Sequence, residues 1–250
     1  MAIDLVNVGC YVASIVLLPF IRTTMKHTLF SASLISFISV SAASAATVLI
    51  DTGSINFETT GNWNNVATNT GKSALDKDIL DLIDDTGSAT GFSLNSLSSA
   101  VGANEAGPIS TTTGYPASAT RDTFYIEGSE SVTFTFSNLD AGTIYDFTFY
   151  AGRDGSGAAR IANYEVIGGN KTDNAQLNAL ANVNNTVSLA GFTSDLSNEI
   201  TINFTRASGI YAYVGVIQMD TTAIPEPSHY ALAVGGLGLL AMLRRCQKRS

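Results

Sequence analysis

Three five-residue runs organise the chain. Val132-Thr133-Phe134-Thr135-Phe136, Tyr145-Asp146-Phe147-Thr148-Phe149 and Ile200-Thr201-Ile202-Asn203-Phe204 each alternate apolar and polar residues. Period two puts the apolar side chains on one face of a strand and the polar ones on the other, so each run predicts a strand buried on one side. Shorter apolar stretches predict further strands at 48–51, 91–94, 123–127, 163–167, 186–189 and 211–219. Between them Gly, Asn, Asp, Ser and Thr recur about every ten residues, the spacing of turns in an all-β domain. The turn-rich Ser137-Asn138-Leu139-Asp140-Ala141-Gly142 joins the first two runs and predicts an antiparallel hairpin. Together the elements predict an all-β fold, an antiparallel β-sandwich of two packed sheets.

One segment reads two ways. Residues 73–85 (SALDKDILDLIDD) suit a helix with Ser73 as N-cap, Leu75, Ile79, Leu82 and Ile83 on one face, and Gly87 as stop. They also suit an inner strand at 79–84. The strand is favoured, because a sandwich needs a partner for 91–94.

The two ends depart from this pattern. Met25-Lys26-His27 opens a positive segment, residues 28–40 (TLFSASLISFISV) are apolar, and Ala43-Ser44-Ala45 is a run of small residues. That order predicts a signal peptide over 25–45, cleaved after Ala45 with Ala43 and Ala45 as the small cleavage-site residues. Residues 1–24 read as an over-extended start. Asn7-Val8-Gly9-Cys10 lacks the large apolar residue expected before a lipoprotein cysteine.

At the other end Pro225-Glu226-Pro227 precedes an apolar stretch, 230–243, and then Arg244, Arg245, Lys248 and Arg249. A helix over that stretch is about 21 Å long at roughly 1.5 Å per residue. It falls short of the ~30 Å hydrocarbon core, and by length alone it is a buried helix. The basic cluster behind it predicts instead a short transmembrane helix with its carboxyl end on the cytoplasmic side. The triplet, the short Gly-rich apolar helix and the basic tail resemble the PEP-CTERM sorting signal over residues 223–250. The resemblance implies transient contact with the inner membrane and with an exosortase that recognises Pro225, Glu226 and Pro227 and cleaves near that triplet, so that the mature protein lacks the basic tail with Arg244 and Arg245. It further implies release to the cell surface or extracellular matrix.

Composition narrows the chemistry of the remaining domain, residues 46–222. It contains neither Cys nor His, and holds 7 Lys plus Arg against 19 Asp plus Glu, a net charge of 7 − 19 = −12. An acidic surface excludes a nucleic-acid partner. The missing imidazoles and thiols exclude Ser-His-Asp and Cys-His catalysis and the ordinary zinc, copper and haem sites. Carboxylate chemistry, a hard cation, or no catalysis remain. The domain resembles a galactose-binding-like jelly roll through Gly61-Asn62-Trp63-Asn64, residues 115–120 (YPASAT), the Ala-Gly-Arg that ends at Arg153, and residues 211–215 (YAYVG). That resemblance implies a fold more than a function.

Four candidate features follow. Trp63, the single tryptophan, lies among asparagines and reads as a sugar-stacking platform with Asn62 beside it, or as a loop anchor packed on the sandwich edge. Arg153 reads as a ligand for a carboxylated sugar, or as part of a surface turn, Arg153-Asp154-Gly155. Asp81, Asp84 and Asp85 form either a structural calcium site or a solvated acidic edge. Carboxylate pairs such as Asp122 with Glu127, or Asp146 with Glu165, are residue types a glycosidase uses as acid and nucleophile, but nothing in the spacing selects a pair from the 19 carboxylates. No other cofactor is expected. The expectation is an exported, non-catalytic surface or matrix protein with polysaccharide as its partner. The alternatives are a purely structural matrix protein and a carboxylate-only glycoside hydrolase.

Overall fold

The computed structural model of the chain describes residues 45–224. The expected signal peptide, with Ala43, and the sorting tail, with Pro225, Glu226, Pro227, Arg244 and Arg245, lie outside the described residues. Ala45 is the first of them.

In chain order the strands are β1 (Thr47–Ser54), β2 (Asn64–Thr68), β3 (Ser73–Ile79) and β4 (Ser93–Asn104). A five-residue helix, α1 (Ala117–Arg121), precedes β5 (Thr123–Glu127), β6 (Ser131–Ser137), β7 (Thr143–Tyr150) and β8 (Ile161–Ile167). β9 (Thr172–Asn178), β10 (Val187–Phe192), β11 (Ile200–Ser208), β12 (Tyr211–Val214) and β13 (Val216–Ala223) complete the domain. One sheet runs β10-β7-β13-β1-β2 and the other β12-β5-β4-β6-β11-β8-β9, with β3 also paired to β4. All pairings are antiparallel except β1 with β2, which is parallel.

The alternating runs do what their period predicts. Phe134 and Phe136 of β6, Ile200, Ile202 and Phe204 of β11, and Phe147 and Phe149 of β7 are all fully buried. The faces meet through aromatic rings, Phe136 on Phe147 at 5.6 Å and Phe149 stacked on Tyr164 at 4.5 Å and 5°.

Four expectations are corrected. Residues 137–142 are no hairpin: β6 and β7 belong to different sheets. Their phenylalanines face each other across the core, so the linker arches from sheet to sheet, with Asn138 at φ 60° and Leu139 buried. Residues 73–85 are neither a helix nor a strand at 79–84. The strand is β3, it ends where that span was expected to begin, and Ile79 pairs with Leu94. Asp81, at φ 61°, turns the chain, and buried Leu82 is held between the Phe92 carbonyl and the Thr90 amide.

The stretch 211–219 is two strands, split at Gly215 and assigned to opposite sheets. Gly215 makes the corner: its amide donates to the Tyr150 carbonyl (3.0 Å) and its carbonyl accepts from the Thr52 amide (2.7 Å). Finally, the strand expected at 91–94 is the twelve-residue β4. Its inner face carries buried Ser96 and Ser98 while Leu97 is half exposed, an inverted pattern that conceals the strand.

The connection from β4 to β5, residues 105–122, folds as a strap over the outer face of the five-stranded sheet. Ala119, Tyr150 and Val216 make a second small apolar cluster there, with Trp63 and Tyr115 packed against it. The Tyr115 hydroxyl donates to Gln218 Oε1 at 2.9 Å and fixes the strap to β13. Thr47 stands opposite Asp220 on neighbouring β1 and β13, so the chain enters and leaves the domain at one end. The strap lies at the other.

Candidate functional site

At the strap end, where β7 stops and β13 starts, three tyrosines and two arginines converge. Tyr211 and Tyr213 are two apart on β12 and share its outer face. The register sets Tyr213 opposite Tyr125 of β5. The three rings touch pairwise, Tyr125–Tyr211 at 5.7 Å and 88°, Tyr211–Tyr213 at 6.3 Å and Tyr125–Tyr213 at 6.5 Å. These are the edge and tilted geometries that ring quadrupoles favour. Tyr125 lies flat over β4 because Gly102 is beneath it: a Cβ there would sit 2.6 Å from the ring. Tyr125 and Tyr211 keep part of their surface in solvent, and Ile210 beside them is 65% exposed.

The arginines stand at the two ends of the β7–β8 connection. The Arg160 guanidinium carbon is 5.3 Å from the Tyr211 ring centre and 5.6 Å from that of Tyr213. Its Nη1 donates to the Tyr213 hydroxyl at 2.6 Å. The Arg153 backbone is held by its amide donating to the Ala179 carbonyl at 2.8 Å, and its Nη1 donates to the carbonyls of Ala106 (3.3 Å) and Asp154. Burial pushes the Tyr213 phenol above its ordinary pKa, while Arg160 and Arg153 both pull it back. Two guanidinium groups therefore act on one hydroxyl. Behind them the buried Tyr164 hydroxyl donates to the Tyr213 carbonyl at 2.6 Å, tying β12 to β8.

The sequence candidates are dispersed. Trp63 is half-buried against the small cluster under the strap, edge-on to Tyr115 at 6.2 Å and 81°. Asn62 donates to the Asp85 carbonyl at 2.8 Å and joins two turns. Only Arg153 reaches the tyrosine end. Of the acidic cluster, Asp84 Oδ1 accepts from the Thr86 amide, the Thr86 hydroxyl and the Ser88 amide, and Asp81 Oδ1 accepts from the Gly91 amide. These carboxylates build turns. Among the described residues no group of three or more His, Cys, Asp or Glu side chains is placed to hold a metal ion.

The carboxylate pairs are split as well. Asp146 lies on β7 and accepts from the Gly191 amide, whereas Glu165 lies on β8 of the other sheet and accepts from Asn203. Asp122 and Glu127 are five residues apart along extended chain, roughly 16 Å. Asp122 is instead beside Asp51, both buried under the strap. Burial, followed by the Asp122 charge, pushes Asp51 up to about 7, and burial pushes Asp122 up to about 6.

Sequence reading missed Tyr125, Tyr211, Tyr213 and Arg160. The Tyr-x-Tyr spacing was a visible signal, since it places both rings on one face. The pairing of β12 with β5, more than eighty residues away, left no local trace.

No family model matches the chain, and no curated protein matches it. Among solved structures it is similar to the enzymatically active domain of bacteriophage CBA120 tailspike protein 4, with 13% identity, 53% of this chain and 19% of that chain covered, and TM-score 0.30. It is similar to a carbohydrate-binding module in complex with β-1,4-galactotriose, with 15% identity, 56% and 92% covered, and TM-score 0.29. A third is an exo-β-1,3-galactanase from Phanerochaete chrysosporium, with 10% identity, 62% and 30% covered, and TM-score 0.29. The chain spans about a fifth of the tailspike domain's length. At these scores the likenesses assign nothing, and the site stands on its own geometry.

Proposed function

We propose that this is an exported, non-catalytic domain that binds polysaccharide through the partly exposed Tyr125 and Tyr211 rings, backed by buried Tyr213, with Arg160 and Arg153 at the margin. The observation that carries the reading is the partly exposed Tyr125–Tyr211 pair, seated on buried Tyr213, with two guanidinium groups beside it. A tyrosine offers a broad apolar ring and a polar tip while losing little side-chain freedom, which suits a sugar with one apolar face and a rim of hydroxyls. Guanidinium N–H groups donate to those hydroxyls in fixed directions. The separation of Asp122 from Glu127 and of Asp146 from Glu165, and the burial of the adjacent Asp51–Asp122 pair away from solvent, support a binding role over glycoside hydrolysis. The signal peptide and sorting tail read from the sequence support export, with an exosortase as transient partner.

The test is a polysaccharide array followed by titration calorimetry. Tyr211→Ala is expected to weaken binding at least tenfold, the usual scale for an aromatic anchor. Trp63→Ala is expected to lower the melting temperature and leave affinity unchanged. A wild-type protein that binds no polysaccharide would leave the purely structural role. Release of reducing sugar would bring back the hydrolase.

A further inference from the structure

We infer that the polysaccharide taken at this end carries carboxylate groups, as uronic acid residues do, and that Arg153 and Arg160 receive them. The inference rests on the binding function proposed above and specifies its ligand.

Cations are scarce in this domain, 7 against 19 carboxylates between residues 46 and 222. With so many acids available, each arginine has ample opportunity to find a carboxylate. Among the described residues the one cation in an ion pair is Lys72, bound to Glu127 and Glu130. Arg160 and Arg153 are directed to a phenol and to backbone carbonyls instead. They nevertheless share one neighbour, the Tyr213 hydroxyl, so two positive groups are brought to the same point. Like charges at short range repel, and an arriving anion relieves that repulsion.

A second observation is independent of charge. Arg153 Nε is buried and has no hydrogen-bond partner among the described residues. A buried donor without an acceptor is unfavourable, and the cost falls away when a ligand oxygen supplies the missing bond. The residues between the arginines, 154–159, are exposed, and Gly155 packs against the Arg153 guanidinium with its Cβ position 3.7 Å from Nη1.

The geometry selects the anion. A guanidinium presents parallel N–H groups in a plane, matched by the two oxygens of a planar carboxylate. The tyrosines stand next to that point, where the pyranose ring bearing the carboxylate would rest. A uronic acid joins these two demands in one residue. The domain's net charge repels polyanions at long range, so retention of an acidic polymer has to come from the site itself.

The experiment uses the full-length chain and four probes: polygalacturonate, the same polymer fully methyl-esterified, a neutral galactan, and dextran sulfate. Polygalacturonate is expected to bind at least tenfold more tightly than its methyl ester, with affinity falling as salt rises. Arg160→Gln is expected to bring that ratio toward one. Arg153→Lys keeps the charge but not the fork, and is expected to reduce the ratio in part. Equal binding of the polymer and its ester overturns the inference and leaves the polysaccharide-binding function intact. Equal binding of dextran sulfate overturns it too, since charge alone would then be read. Binding to none of the four overturns both.

Discussion

Acidification from pH 8 to pH 5 is expected to stabilise the domain, by on the order of 3 kcal/mol. The cause is the carboxylate pair beneath the strap. Asp51 projects from the outer face of β1, and Asp122 Oδ2 occupies the space where a Cβ on Gly53 would stand, so the two carboxyls lie along the same edge. Asp51 Oδ2 accepts from the Thr59 amide at 3.0 Å, and Asp122 Oδ2 accepts from the Ser54 amide. Each Oδ1 is buried with no partner among the described residues. Glu58 and Glu105 add negative charge nearby, and Arg121 opposes it at Asp122.

Both folded-state values lie above the unfolded 3.8, at about 7 for Asp51 and about 6 for Asp122. Between those limits the folded form holds more protons, so its advantage is complete below pH 3.8 and is lost as pH rises through 6 and 7. Glu105 and Asp84 act in the opposite sense. Hydrogen bonds from Ser54 and Asn56 to Glu105, and from Thr86 and Ser88 to Asp84, hold them below the usual carboxylate range. Their contribution fails as pH falls below about 4, which places the stability maximum near pH 5. Asp51→Asn removes one buried charge and gives Asp122 an amide donor. It is expected to raise the melting temperature at pH 8 by several degrees and to flatten the slope between pH 5 and 8. A wild-type melting temperature that is flat across that range, or that falls on going from pH 8 to 5, would count against the buried pair.

Tyr164→Ala is the second large effect, an expected loss of about 3–5 kcal/mol read as a shift of the urea midpoint. The ring is fully buried and lies between Phe149 at 4.5 Å and Phe204 at 5.7 Å, joining the sheets. Truncation opens a cavity that two rigid aromatic neighbours cannot refill. Tyr164→Phe separates packing from polarity. It keeps the stack and removes the buried bond to the Tyr213 carbonyl, for a loss of about 1–3 kcal/mol. Because that carbonyl anchors β12, the phenylalanine variant is also expected to weaken polysaccharide binding. A loss of stability with unchanged affinity would show that β12 does not depend on this bond for its position.

The alternation of Phe134, Phe136, Phe147, Phe149, Ile200, Ile202 and Phe204 made the two apolar faces legible, because period two is a local property of the chain. Which faces meet is not local. Residues 137–142 have the composition of a hairpin turn, yet Phe136 and Phe147 satisfy each other across the core, so the linker crosses between sheets. Gly215 likewise passes as one residue within an apolar run, until the Tyr150 and Thr52 backbones supply the bonds that turn the chain there. Ser96 and Ser98 face inward against the usual preference and hid most of β4. The site was less legible than the fold for the same reason. Arg153 drew notice as an isolated cation in a turn, but its meaning depends on Arg160 across a loop and on Tyr125 from a distant strand.

The shared entry and exit of the chain has a mechanical consequence. Ala46 and Ala223 lie at one end of the β1–β13 ladder, while Tyr213 stands just beyond the other, roughly 23 Å away at the rise of an extended strand. A pull between the two termini would open that ladder one rung at a time, like a zipper. A pull between a captured polymer and the chain beyond Ile224 would run along β13 itself, whose bonds to β1 and β7 lie across the line of force and must yield together. Single-molecule stretching should therefore give a higher rupture force when the load is applied through the tyrosine end than when it is applied through both termini. Equal forces would mean that the load bypasses β13. With this connectivity the domain resists a load along β13 more strongly than a load that parts β1 from β13.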